Sequence, residues 1–193
     1  MSTRGDLTRR KILESARILF AEKGYTAVTM EDVRLCCGLS RGGLYRHYSS
    51  TQEIFTQLIE DEQKAAFAAL AKAIQDKIPA AQMLETFLKN RIKHLFNPQT
   101  CLENAINAFA ANAPQGSTLI VKRAEDSINI LTQILWQGCQ QQVFFCKNCR
   151  SAALHILCLL EGMAKHNALL PMSAEETNQQ LLYLQSILQP QDA

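Results

Sequence analysis

Apolar side chains recur along this chain at spacings of three and four, not two. Ile12, Leu13, Ala16, Leu19 and Phe20 fall at i, i+1, i+4, i+7 and i+8, one stripe of a 3.6-residue helix. A first helix is therefore predicted over 8–23, with Gly24 ending it. Thr29 can cap a second helix over 30–37, with Asp32 three residues on and with Met30, Val33 and Cys37 facing inward. Gly38 follows where a left-handed backbone is easiest for a residue without Cβ. Ser40 can cap a third helix over 41–47, anchored by Leu44. Ser50 and Glu53 make an S-x-x-E capping box for a fourth, which strong helix formers from Ala65 to Ala73 extend past Leu70.

All five prolines, at 79, 98, 114, 171 and 190, come later and divide the remainder into helical blocks. Ala80 to Phe96 is amphipathic and closes at Asn97-Pro98. Cys101 to Ala113 is short and ends at Pro114. A long helix is expected from Ser117 to about Gln142 and another from Lys147 to Asn167. Ser173 with Glu176 forms a second capping box and opens a last helix through Leu188. No stretch alternates Val and Ile with period two, so no strand is predicted. The fold class is all-α: an N-terminal three-helix helix-turn-helix head over 1–50, joined by a long helix to a C-terminal regulatory and dimerisation bundle over 51–193. In a helix-turn-helix the second helix of the pair enters the DNA major groove. Here that helix is Arg41 to His47, which is basic, aromatic and poor in apolar bulk.

Net charge is only +2, but its distribution is uneven. Residues 1–50 carry nine Lys/Arg against five Asp/Glu, and residues 51–193 carry eleven against thirteen. A basic head on a mildly acidic body fits one end touching phosphate. With 47% apolar residues the chain can bury a core, yet no apolar run approaches a membrane span. No secretory segment is seen, so a cytoplasmic location is expected and the seven cysteines read as free thiols.

The head resembles the TetR family of transcriptional regulators. Phe20, Gly24, Tyr25, Thr29, Val33, Gly38, Leu39, Ser40, Leu44, Tyr45, His47, Tyr48, Ser50 and Ile54 occupy the family's pattern at fixed spacing. The resemblance covers about residues 8 to 56; beyond them it extends only to length and helical character. It departs at Arg34 and Cys37, where the family usually has alanine, and at Thr51, where it usually has lysine. Arg34 must point outward or shift the helix packing. The resemblance implies a homodimer on a double-stranded palindromic operator, repressing transcription until a small molecule in the C-terminal region separates the heads.

Candidate DNA-binding residues are Thr29, Ser40, Arg41, Gly42, Gly43, Tyr45, Arg46, His47, Tyr48 and Ser50. Arg41 stands where side chains meet base edges, and its fork suits guanine O6/N7, or else a phosphate. Gly42 and Gly43 cost helix propensity but let the backbone approach DNA. Tyr45 and His47 reach phosphates, Arg46 phosphate or base, and Tyr48 is partly core. Thr29 and Ser50 are caps that can add a phosphate contact. Arg4, Arg9, Arg10 and Lys11 supply general attraction or a minor-groove arm.

In the body, Phe87, Phe109, Trp136 and Met163 are candidates to line a cavity for an uncharged or amphipathic effector, or else filled core. The last two helices are apolar on more than one side, which suits either core burial or a homodimer interface of two helices from each protomer. Cys146-Lys-Asn-Cys149 is a lone C-x-x-C, whereas a structural zinc site wants four ligands. Cys139 would share its face on a continuous helix, but Gln140 to Phe145 interrupts it. Packing thiols are the expectation; a thiol-reactive sensor and a metal site are the alternatives. No Ser-His-Asp spacing, H-E-x-x-H, P-loop or G-x-G-x-x-G is present, so neither an enzyme nor a cofactor is expected. A helical protein-interaction module without ligand is the competing class.

Overall fold

The computed structural model describes residues 4–96, 102–113 and 116–188, the side chains of 94–96 and 168 excepted. Among these residues there are nine helices and no strand: α1 (Arg4–Lys23), α2 (Met30–Cys37), α3 (Arg41–Tyr45), α4 (Thr51–Gln75), α5 (Ala80–Phe96), α6 (Glu103–Asn112), α7 (Gly116–Gln140), α8 (Cys149–Leu169) and α9 (Ala174–Ile187). The stops expected at Asn97-Pro98 and Pro114, and the start at Cys101, lie outside the described residues. α1 begins four residues before the predicted Thr8, so Arg4, Arg9, Arg10 and Lys11 all lie on helix. α3 is two residues shorter than predicted, because the amides of Arg46 and His47 bond Gly42 and Leu44 in a closing turn.

The chain divides into two compact units, Met1–Ala65 with Phe96–Ala124, and Ala66–Leu95 with Glu125–Ala193. The first unit is larger than a head cut at residue 50. Its core joins Ile12, Ala16 and Phe20 of α1, Val33 and Cys37 of α2, and Leu44 of α3 to Ile54, Phe55 and Ile59 of α4. It also takes in Ala105, Ile106 and Phe109 of α6. The sequence pattern had no means of assigning α6 to the head, since an apolar stripe does not name its partner.

Four aromatic rings knit that core. Phe20 meets Phe55 edge-on at 4.7 Å, and Phe109 lies 5.0 Å from Phe55 and 4.9 Å from Tyr25. Such pairs add about 0.5–1.5 kcal/mol each beyond burial. Arg17 of α1 pairs with Glu62 of α4 in the same unit.

The second unit is a helical assembly around Leu84 and Leu88 of α5, Leu131 and Leu135 of α7, Ile156 and Leu160 of α8, and Leu184 of α9. Ser173 caps α9 with both arms of its box formed, its hydroxyl accepting from the Glu176 amide and the Glu176 carboxylate accepting from Ser173. Among the described residues no helix is long and apolar enough to cross a membrane.

Candidate nucleic-acid interface

Capping chemistry sets the geometry of the helix-turn-helix. The Thr29 hydroxyl accepts from the Asp32 amide at 3.1 Å, and the Asp32 carboxylate accepts from the Thr29 amide at 2.9 Å, closing a capping box. Lys23 of α1 donates to the same carboxylate at 2.6 Å. That donation, with the two from Thr29, holds the Asp32 carboxyl well below the usual carboxylate range. At the other end of α2, Gly38 has φ 62°, and the amides of Gly38 and Leu39 bond the carbonyls of Leu35 and Arg34 at 3.1 Å. This is the left-handed stop that glycine allows at no steric cost.

Arg34 resolves its own anomaly. Its guanidinium points outward, grips the Glu31 carboxylate with two bonds of 2.6 and 2.8 Å, and donates a third of 3.0 Å to the Leu39 carbonyl. One side chain thus ties the first turn of α2 to the residue that leads into α3. Cys37 is fully buried, with Sγ 4.0 Å from the Lys11 carbonyl, so the thiol fills a small-residue position and burial pushes its pKa up.

α3 starts at Ser40, whose hydroxyl accepts from the Gly43 amide at 3.1 Å. Leu44, fully buried, anchors the helix, while Arg41, Gly42, Tyr45 and Arg46 are exposed. The Arg41 guanidinium sits 5.7 Å from the centre of the Tyr45 ring, one turn away on the same face. No atom lies within 4 Å of where a Gly42 side chain would start. His47 is half-buried at the end of this surface. Ser50 caps α4 by accepting from the Glu53 amide at 3.1 Å. The return arm of the expected box differs: Glu53 takes the amide and hydroxyl of Ser49 at 2.7 and 2.8 Å instead of the Ser50 amide. Those bonds pull the Glu53 carboxyl down as well.

Of the ten candidate DNA-binding residues, Thr29, Ser40, Arg41, Gly42, Tyr45 and Arg46 are exposed, and Gly43, His47 and Ser50 are partly buried. The tenth is Tyr48. It is 2% exposed within the head core, and its hydroxyl is buried without a hydrogen-bond partner among the described residues. The Arg9 guanidinium lies 5.6 Å from its ring centre. The chain has left α3 by residue 48 and turns the ring inward, so Tyr48, expected to be partly core, is wholly so and stands apart from the other DNA-contact candidates.

The four candidates for an effector cavity divide between the two units, Phe109 in the first and Phe87, Trp136 and Met163 in the second. Phe109 is fully buried in the first unit, among Tyr25 and Phe55, and is a core residue of the head. Trp136, on α7, is 58% exposed. Met163 is buried, and Phe87 is half-buried with Arg91 5.9 Å from its ring centre. None of the four lines either of two clefts seen among the described residues. One, of about 460 Å³, runs between α1 and α4 and is lined by charges of both signs, including Arg9, Arg10, Arg17, Asp61 and Glu62. The other, of about 360 Å³, lies in the second unit beside Cys146.

The interruption at Gln140 to Phe145 has the opposite effect to that expected. α7 ends at Gln140, Gln142 takes φ 58°, and the amides of Val143 and Phe144 bond back to the Gly138 carbonyl at 2.9 and 3.2 Å. A methyl at Gly138 would overlap the Phe144 ring, so glycine is required for that return. The turn brings Cys146 and Cys149 against Cys139, with the three sulfurs within 4.8 Å of one another. Cys139 and Cys149 are 3.9 Å apart. Burial, reinforced by the neighbouring thiols, pushes Cys146 up to about 12 and Cys149 upward too.

Comparison with known proteins agrees with this geometry. Residues 12–58 match the family described as bacterial regulatory proteins, tetR family. A 55-residue stretch is 46% identical to the HTH-type transcriptional regulator YfiR of Bacillus subtilis, covering 28% of this chain and 27% of that protein. A 120-residue stretch is 28% identical to the HTH-type transcriptional regulator UidR of Escherichia coli, covering 62% of this chain and 60% of that one. The matched stretches therefore span between about a quarter and three fifths of these curated relatives. A TetR-family regulator from Agrobacterium tumefaciens superimposes with a TM-score of 0.78 at 15% identity, over 96% of this chain and all of that one. At that identity the likeness is one of fold.

Proposed function

The chain carries the amino-terminal domain of the TetR family, and from that premise we propose that the protein is a dimeric, DNA-binding transcriptional regulator. In this reading it represses by occupying a palindromic operator and is released by a small molecule bound in the second unit. The observation that carries the reading is α3: Arg41, Tyr45 and Arg46 project outward from a helix whose start is capped and whose one large apolar side chain is buried. These three side chains are exposed and not part of the core, whereas a major groove has use for each. Arg41 reads a base edge through its two-pronged fork, a contact worth about 1–3 kcal/mol of discrimination. Tyr45, His47 and the capped starts of α2 and α4 hold phosphates, which sets register without reading sequence.

Dimerisation is supported by α8 and α9. Leu154 on α8 and Leu182, Tyr183 and Ile187 on α9 are exposed apolar side chains, and a second copy would cover them as a four-helix bundle. Two heads joined in this way meet half-sites about one helical turn, roughly 34 Å, or a multiple apart, so a small rotation breaks register. The effector in this reading does not use Phe109 or Trp136.

The test is fluorescence anisotropy with the palindromic duplex found beside the protein's own gene, at two salt concentrations, paired with sedimentation of the free protein. A dimer that binds the palindrome more tightly than a scrambled duplex is the expected result. Arg41→Ala should narrow the gap between the two duplexes, while neutralising Arg9 and Arg10 should weaken both alike and flatten the salt slope. A monomer indifferent to every duplex at low salt would refute the proposal.

A further inference from the structure

We propose that Cys139, Cys146 and Cys149 form a three-thiolate site for a soft divalent cation of the zinc class, at the junction of α7 and α8. The site does not depend on what the head binds. Three features of the fold converge on it. The sulfurs come from separate places, the last turn of α7, the loop and the first residue of α8, yet lie within 4.8 Å of one another. A metal–sulfur bond of about 2.3 Å requires neighbouring sulfurs about 3.8–4.0 Å apart in tetrahedral or trigonal geometry. The 3.9 Å between Cys139 and Cys149 already has that value. The remaining sulfur separations do not exceed 4.8 Å, so closing the set needs a shift of about 1 Å at most.

The ligand type selects the ion. Thiolates are soft donors and prefer zinc-class and cuprous ions to magnesium or calcium. No carboxylate or imidazole belongs to the cluster among the described residues, so hard cations find no oxygen there. Asn148, the nearest amide in sequence, is committed as the cap of α8, accepting from the Ser151 amide at 2.9 Å. The fourth coordination position is then open. Cys146 also lines the cleft of about 360 Å³, together with Lys147, Asn148 and His155, which gives water or a small anion a route to the ion.

Charge balances in the same place. A divalent ion displaces three thiol protons and leaves a centre of net charge −1, with no change of oxidation state. Cys149 is the first residue of α8, where the helix dipole favours negative charge. Lys147 lines the adjoining cleft, while Arg150 is engaged with Glu125 at 2.7 Å and Asn129 at 3.3 Å. The ion would bind the end of α7 to the start of α8, while the Phe145 amide already ties the loop to the Leu188 carbonyl at the end of α9 at 2.8 Å.

The experiment uses the full chain, reduced and kept under argon, with cadmium(II) as a spectroscopically visible zinc-class probe. Sulfur-to-cadmium charge-transfer absorbance should rise and saturate at one ion per chain. Alkylation followed by peptide mass mapping should show Cys139, Cys146 and Cys149 protected by one equivalent, with the exposed Cys36 and Cys158 still modified. Cys139→Ser, Cys146→Ser and Cys149→Ser should each weaken binding at least tenfold, and Cys158→Ser should leave it unchanged. The protection map is read on the unaltered protein, so it stands even if a serine variant misfolds. No saturable band at one equivalent, protection of a different set, or equal loss in Cys158→Ser would overturn the proposal. So would a Cys139–Cys149 disulfide in the air-exposed protein accompanied by no cadmium binding in the reduced one.

Discussion

Gly42 offers a perturbation in which stability and DNA binding should move in opposite directions. It lies in the first turn of α3 and its φ is not positive, since only Gly24 and Gly38 among the described glycines are. An added methyl meets no atom within 4 Å. Gly42→Ala should therefore stabilise the free protein by about 0.5–1 kcal/mol, through reduced freedom of the unfolded chain and better helix propensity. For a chain of this size that is a rise of about 1–4 °C in the unfolding midpoint. Gly43→Ala is the control. Its methyl would stand 3.1 Å from the Ser40 hydroxyl, which accepts the Gly43 amide. Crowding that cap forfeits about 1 kcal/mol and cancels the gain. If α3 enters the major groove, the empty surface at Gly42 faces DNA, and the methyl displaces one close contact. Losing about 1–3 kcal/mol weakens operator binding about 5- to 150-fold. Thermal unfolding and anisotropy on one preparation measure both effects. A lower midpoint for Gly42→Ala would refute the reading of the helix. A raised midpoint with unchanged operator affinity would refute the close approach.

Three further outcomes follow from the head. Tyr48→Phe removes a buried hydroxyl that has no partner among the described residues, so it should stabilise by about 1 kcal/mol and leave operator affinity unchanged; a loss of affinity would return Tyr48 to the DNA surface. Phe109→Ala deletes a fully buried ring from the Tyr25–Phe55 cluster and should cost about 3–5 kcal/mol in denaturant unfolding of the first unit; a small cost together with altered response to a ligand would restore it to an effector site. Asp32 and Glu53 have carboxyls held below their ordinary values by Lys23 and Thr29 and by Ser49. Their contribution is present above the ordinary carboxylate range and lost as pH falls below about 4. Asp32→Asn should make the unfolding midpoint less steeply pH-dependent in that range, and an unchanged acid slope would disprove the assignment.

Local chemistry in the sequence set the position and type of each helix. Stripes at three and four, hydroxyl caps at Thr29, Ser40, Ser50 and Ser173, and the left-handed stop at Gly38 act over a few residues, so they are legible in order along the chain. The outward face of α3 was legible for the same reason: a helix of five residues with one large apolar anchor has only one way to sit. What touches what was settled by tertiary packing. Phe109 belongs to the head because α6 lies against α1 and sets that ring on Tyr25 and Phe55, whereas its apolar stripe alone fits any partner. Tyr48, read as partly core, is buried outright because the chain closes a turn after Tyr45 and carries the ring inward. Trp136 is open because the apolar surface of α7 is wider than the core it covers. The three cysteines meet because a glycine lets Phe144 lie across α7 and reverse the loop, a contact between distant side chains that linear spacing read as a separation.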